Sequence, residues 1–257
     1  AIASDYDTAN MQVSTDGGTT WTNATSATIA AGTTSVLVKV PTVEDTIAES
    51  TENFTLTATV TAGDTSNTSS SGIATITDDD SVPTISISDQ TVNEDAGTIT
   101  FTVSLSNPSA SAVTVNYATN SGTATAGTDV QNGSGTLSFA AGEISKTITL
   151  NVTDDNIYEI SENFTVDLTN PTNATISDVQ GVGTINDEDR TNPGDKLGDE
   201  PSLSVSAASA SEGDNEIFTV SLSNPSTQDV SFNLSTTPGS AIASDYDTAN
   251  MQVSTDG

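Results

Sequence analysis

Acidic side chains gather at a few points of this chain, and grouped carboxylates are suited to holding hard cations. Between residues 81 and 189 they fall at Glu94, Asp129, Asp154, Asp155, Glu159, Glu162, Asp187, Glu188 and Asp189. Each group sits at the end of an expected strand or in the loop just beyond one. Two carboxylates ~4 Å apart repel by roughly 1 kcal/mol in water and by ~4 kcal/mol at an effective dielectric of 20. A divalent cation with about six to eight oxygen ligands relieves that repulsion, and calcium tolerates irregular loops better than magnesium does. The spacing fits neither an EF-hand loop nor the Gly-rich nonapeptide calcium repeat.

The rest of the composition narrows the chemistry. Among 257 residues there are 35 Asp and Glu against 4 Lys and Arg, a net charge of −31, with no His and no Cys. Disulfides, thiolate chemistry, imidazole metal sites and His-based acid–base catalysis are excluded. Nucleic acid and anionic membrane surfaces need cationic partners and are poor fits. No apolar stretch approaches the ~20 residues of a membrane span. A Cys-free chain fits secretion or display at a bacterial cell surface. Paired carboxylates also run glycoside hydrolysis, but small repeated domains without an aromatic-lined cleft argue against an enzyme.

The elements that position these acids are strands. Ile99, Phe101, Val103 and Leu105 alternate with Thr98, Thr100, Thr102 and Ser104. The same period of two runs through Val113/Val115/Tyr117, Ile148/Leu150/Val152, Phe164/Val166/Leu168, Val36/Val38/Val40 and Phe54/Leu56. Thr and Val favour strands, and one apolar face per strand predicts half-buried antiparallel sheets. Helical periodicity is missing, so the expected class is all-β, built of sandwiches. In a sandwich the loops cluster at two ends, which brings several acidic groups to one rim.

The chain also repeats. AIASDYDTANMQVSTDG occupies Ala1–Gly17 and again Ala241–Gly257, which implies a window on a longer tandem array with a 240-residue period. FTVSLSNPS recurs at residues 101–109 and 218–226, and Glu52-Asn-Phe-Thr55 matches Glu162-Asn-Phe-Thr165. The expected organisation is 1–80, a sandwich lacking its first strands; 81–189, a complete sandwich; 190–200, a polar linker; and 201–257, the first strands of the next sandwich. Open edges and half-cores in the two partial units predict completion by a neighbouring copy, head to tail, in cis or by strand complementation.

Residues 81–189 carry Thr84-Ile-Ser-Ile-Ser88, Val92-Asn-Glu-Asp-Ala-Gly97, Gly122-Thr-Ala-Thr-Ala-Gly-Thr-Asp129 and Gly135-Thr-Leu-Ser-Phe-Ala-Ala-Gly-Glu143, then Val152-Thr-Asp-Asp155, Tyr158-Glu-Ile-Ser-Glu-Asn-Phe164 and Gly183-Thr-Ile-Asn-Asp-Glu-Asp189. In these motifs, taken in order, the segment resembles a Calx-β domain. It implies a seven-stranded sandwich of immunoglobulin-like shape binding Ca²⁺ at one end. The implied ligands are Glu94, Asp129, Asp154, Asp155, Glu159, Glu162, Asp187, Glu188 and Asp189. In the divided sandwich the matching positions are Glu212, Asp245 (duplicated as Asp5), Glu44, Asp45, Glu49, Glu52, Asp78, Asp79 and Asp80. Glu44 and Glu188 stand where the family usually has Asp, and Val130 replaces the usual aromatic.

Three functions fit this pattern. The first is a structural repeat of an extracellular filament or adhesin stalk, with Ca²⁺ stiffening its junctions. The second is an adhesive module binding sugar or protein, and the third is a Ca²⁺-sensing regulatory domain. Plainer readings stand beside them. Terminal Asp runs also serve as solvated turns that keep edges from pairing, and Asp129 or Asp5 alone also reads as a turn residue. Glu143 reads as part of a Gly-Glu turn. Trp21 reads as packing under a hairpin insertion rather than as a binding platform.

Overall fold

A computed structural model describes residues 5–187, 199–241, 245, 247 and 251–255. Its strands are β1 (Gln12–Ser14), β2 (Thr22–Asn23), β3 (Leu37–Lys39), β4 (Glu52–Thr59), β5 (Ser69–Ile76), β6 (Thr84–Ile87), β7 (Gln90–Asn93), β8 (Thr98–Leu105) and β9 (Val113–Ser121). They continue with β10 (Ser134–Phe139), β11 (Ser145–Asn151), β12 (Glu162–Thr172), β13 (Thr175–Ile176), β14 (Gln180–Asn186), β15 (Leu203–Val205) and β16 (Val220–Leu222). The only helical element among the described residues is one 3₁₀ turn, Glu94–Ala96. The chain forms two compact units, Ala1–Asp154 with Ser161–Asn186, and Asp155–Ile160 with Asp187–Gly257.

Two of the first unit's sheets, ordered β10-β9-β12-β14-β7 and β11-β8-β6-β13, meet through their apolar faces. The alternation read from sequence is the cause. In β8, residues Ile99, Phe101, Val103 and Leu105 are buried while Thr98, Thr100 and Thr102 face solvent. In β12, Phe164, Val166 and Leu168 do the same. Phe101 and Phe164 meet edge to face, with centroids 5.9 Å apart at 81°, an arrangement that adds to area burial. On the outer face Thr100 and Thr149 pair across strands at 3.0 Å.

The seven-strand expectation needs one refinement. The first strand breaks after Ile87, so β6 joins one sheet while β7 joins the other, in parallel with β14. The last strand breaks likewise, with β13 parallel to β6. Gly183 in β14 faces the Phe164 and Phe101 rings so closely that a side chain there would collide with them.

Ahead of this sandwich, β4 pairs with β5 over their full length, and β1 is flanked by β2 and β3. Their apolar faces are largely open: Ile73 is 77% exposed. Among the described residues of the second unit, β15 pairs with β16 and Tyr158 bridges to Ser226, while Ile217 and Phe218 face solvent. The strand suggested by the repeated FTVSLSNPS is therefore shorter here than in β8. These residues lack a second apolar layer to pack against, which strands need for stability.

Candidate metal centre

Asp5, Glu44, Asp45, Glu49, Glu52, Asp78, Asp79 and Asp80 line one cavity in the first unit, and no cationic side chain lines it among the described residues. The β4–β5 hairpin sets its floor: Glu52 opens β4 directly opposite Ile76, which ends β5 just before the terminal acidic run. Asp5 is brought in by its neighbour. Tyr6 bridges to Thr42 and stacks on Phe54 of β4 at 4.3 Å, and Val43 N–H donates to Asp5 O at 3.0 Å. Carboxylate oxygens of Asp5, Glu49 and Glu52 come within 4.8 Å of one another, as do those of Asp78, Asp79 and Asp80. Glu49 N–H donates to Asp78 Oδ2 at 2.9 Å, tying the loop to the acidic run.

Electrostatics follow from the crowding. Partial burial pushes the Glu49 carboxyl above its ordinary range, and Asp5, Asp45, Glu52 and Asp78 add to the push. Desolvation raises Asp80 as well, followed by the charges of Asp78, Asp79 and Asp45. Both shifts disfavour the ionised form, through desolvation first and like charge second.

The complete sandwich repeats the scaffold. Glu162 opens β12 opposite Ile185 of β14, as Glu52 opposes Ile76. Desolvation raises the Glu162 carboxyl, and adjacent Asp129 raises it further by charge and by a shared hydrogen bond. Asp129 also accepts from Thr125 N–H at 2.7 Å, so it is both a turn residue and half of an acidic pair. Glu94 is buried, on the 3₁₀ turn that closes at Gly97. Asp154 lies in the same unit, exposed beyond β11.

Asp155, Glu159 and Asp187 fall in the second unit. There Ile157 N–H donates to Asp155 Oδ1 at 2.7 Å and Glu159 N–H to Asp187 Oδ2 at 3.1 Å. Asp187 Oδ1 is buried and has no hydrogen-bond partner among the described residues. Asp199 brings its carboxylate within 4.8 Å of that of Asp187. Sequence reading placed Asp199 in a polar linker and missed it; nothing in its local pattern marks it. Glu188 and Asp189 lie outside the described residues. Glu212 sits in an exposed turn and Asp245 is exposed, and neither joins an acidic group among the described residues.

Two other expectations concern residues away from the basin. Glu143 accepts from Ala140 N–H at 2.9 Å and pairs with Lys146 at 2.7 Å, which holds its carboxyl low: a turn residue. Trp21 donates Nε1–H to Gly18 O at 3.1 Å, and Lys39 Nζ lies 4.8 Å over its ring. That ring is therefore partly occupied within its own hairpin. Tyr246, at the position repeating Tyr6, lies outside the described residues.

The cavity's ionisable donors are all carboxylate oxygens, with no nitrogen or sulfur ligand among the described residues, and they suit a hard divalent cation. The Calx-beta domain profile matches residues 5–80 and 78–189. A crystal structure of CBD12 from CALX1.2 is 28% identical over 40% of this chain, with a TM-score of 0.39; this chain spans 44% of that one. An apo-form Calx CBD1 domain is 29% identical over 41% of this chain and 99% of its own, also with a TM-score of 0.39. No curated protein sequence matches the chain.

Proposed function

Because the chain belongs to the Calx-beta domain family, we propose that it is a calcium-binding structural repeat of a long extracellular filament or adhesin stalk. One observation carries this reading: eight carboxylates share a cavity that no cationic side chain lines among the described residues. Bound there, calcium supplies the positive charge that cancels their mutual repulsion. Asp5, Glu49 and Glu52 would hold it on one side and Asp78, Asp79 and Asp80 on the other, with Glu44 and Asp45 at the rim. In the complete sandwich the neighbouring carboxylates of Asp129 and Glu162 would serve the same purpose.

The chain's own residues turn charge into stiffness. Uncompensated, like charges a few ångströms apart cost ~4 kcal/mol per pair at an effective dielectric of 20, so the rim loops spread. Compensated, loops and terminal run are drawn together, and the junctions that follow them lose freedom. Ligand at ~100 times Kd adds about 2.7 kcal/mol per independent site. Neighbouring copies complete the open half-cores of 5–80 and 201–257, and an extracellular setting supplies calcium at the level such modules use, roughly 10⁻⁴–10⁻³ M. No helix among the described residues is long and apolar enough to cross a membrane.

The adhesive reading loses weight because Trp21 is already engaged by Lys39 and Gly18. Calorimetric titration of the chelator-stripped chain tests the proposal. Saturable heat in the range of about 10⁻⁴–10⁻³ M calcium supports it; a flat titration at millimolar calcium refutes it.

A further inference from the structure

We propose that the Ser-Asn-Pro-Ser corner, Ser106–Ser109 and again Ser223–Ser226, is a docking clasp by which each repeat grips the main chain of the acidic loop in the repeat before it. Two separate sets of bonds carry this. Within the first unit, Ala48 N–H donates to Pro108 O at 3.0 Å and Ala110 N–H donates to Ala48 O at 3.0 Å, a parallel bridge of Ala48 with Ser109. Within the second unit, Tyr158 N–H donates to Pro225 O at 3.0 Å and Thr227 N–H donates to Tyr158 O at 3.0 Å, bridging Tyr158 to Ser226.

The corner is built the same way both times. Ser106 Oγ–H donates to Asn107 Oδ1 at 2.7 Å and accepts from Thr84 N–H at 2.9 Å. Ser223 Oγ–H donates to Asn224 Oδ1 at 2.7 Å and accepts from Ser202 N–H at 2.9 Å. Asn107 Nδ2 then donates to Ser81 O at 2.9 Å, and Asn224 Nδ2 donates to Asp199 O. Each Asn thus ties its corner to the segment that enters its repeat. Pro108 and Pro225 have no N–H of their own, and their carbonyls accept from the gripped loop.

On the loop side only the main chain is used, since the gripped residue is Ala in one repeat and Tyr in the other. Recognition of that kind tolerates sequence change, as strand addition does. What it reads is loop shape, and the acids set the shape. Ile47 N–H donates to Asp45 Oδ1 at 2.8 Å and Ile157 N–H to Asp155 Oδ1 at 2.7 Å. On the other side of the gripped residue, Glu49 and Glu159 donate their N–H groups to Asp78 and Asp187 at 2.9 and 3.1 Å. Displacing these carboxylates displaces the peptide that the clasp holds. This metal dependence rests on the calcium reading; the clasp itself does not. The complete sandwich offers both a corner, Ser106–Ser109, and a loop, at Tyr158, a pairing that is not self-complementary and so extends a row instead of closing a dimer.

Backbone amide hydrogen exchange on the full chain tests the clasp, with calcium binding read separately by calorimetry. In millimolar calcium the Ala48, Ala110, Tyr158 and Thr227 amides are expected to exchange at least tenfold more slowly than solvent-facing loop amides, on the order of one step of local stability. The paired Asn107→Ala and Asn224→Ala substitutions should abolish that protection while the Phe101 and Val166 amides keep theirs. Should that variant fail to fold, Ala110→Pro deletes a single donor and should release Ala48. Calcium heat with all four amides unprotected overturns the clasp and leaves the calcium reading standing. Protected amides without calcium heat uphold the clasp and defeat the calcium reading.

Discussion

Glu49 and Asp16 show opposite fates of a carboxylate in this chain. Glu49 is pushed up by burial and by four acidic neighbours, so its charge opposes folding until something cancels it. Glu49→Gln should therefore stabilise the chelated protein in thermal melts while weakening calcium about tenfold, or ~1.4 kcal/mol. Asp16 is held far below the ordinary value, first by Thr20 Oγ1–H at 2.6 Å and then by Thr20 N–H and Ser14 Oγ–H. A depressed carboxyl contributes stability that is complete above its unfolded value of 3.8 and is lost as pH falls through the folded one. The β1–β2 hairpin should accordingly persist into strongly acidic solution, followed by Trp21 fluorescence. Asp16→Ala should open it at neutral pH, shifting the emission to the red with calcium heat unchanged.

At the scale of elements, the sandwich depends on β8 and β12 pressing Phe101 against Phe164. Phe101→Ala should cost ~3–5 kcal/mol in denaturant unfolding, through lost burial and the cavity left behind. Gly183→Ala should cost about 1–3 kcal/mol, because the added methyl overpacks the same two rings. These strands are legible in sequence because period two and burial are one signal: every residue read as inward in β8 is buried. The acidic rim is legible for a similar reason, since loops that end successive strands converge. The break after Ile87 is not legible, because Thr84–Ile87 reads as an ordinary half-buried strand and residue type does not say which sheet the next segment joins. Asp199 escapes notice for want of a local pattern, and Ala48 and Tyr158 escape because main-chain bonds leave no mark on residue type.

For the whole molecule, the seventeen residues of Ala1–Gly17 recur at Ala241–Gly257, and in the proposed array the properties would arise at the junctions. On that proposal rim charge and junction order are linked. A charge of −31 also keeps separate strings apart, with cations the natural partners. The direct measurement is small-angle scattering of the full chain in millimolar calcium and in chelator. The account predicts a narrower distribution of interdomain distances in calcium, reversed by chelator and blunted by Glu49→Gln. Superimposable curves in the two conditions, with calorimetry showing calcium bound, would contradict it.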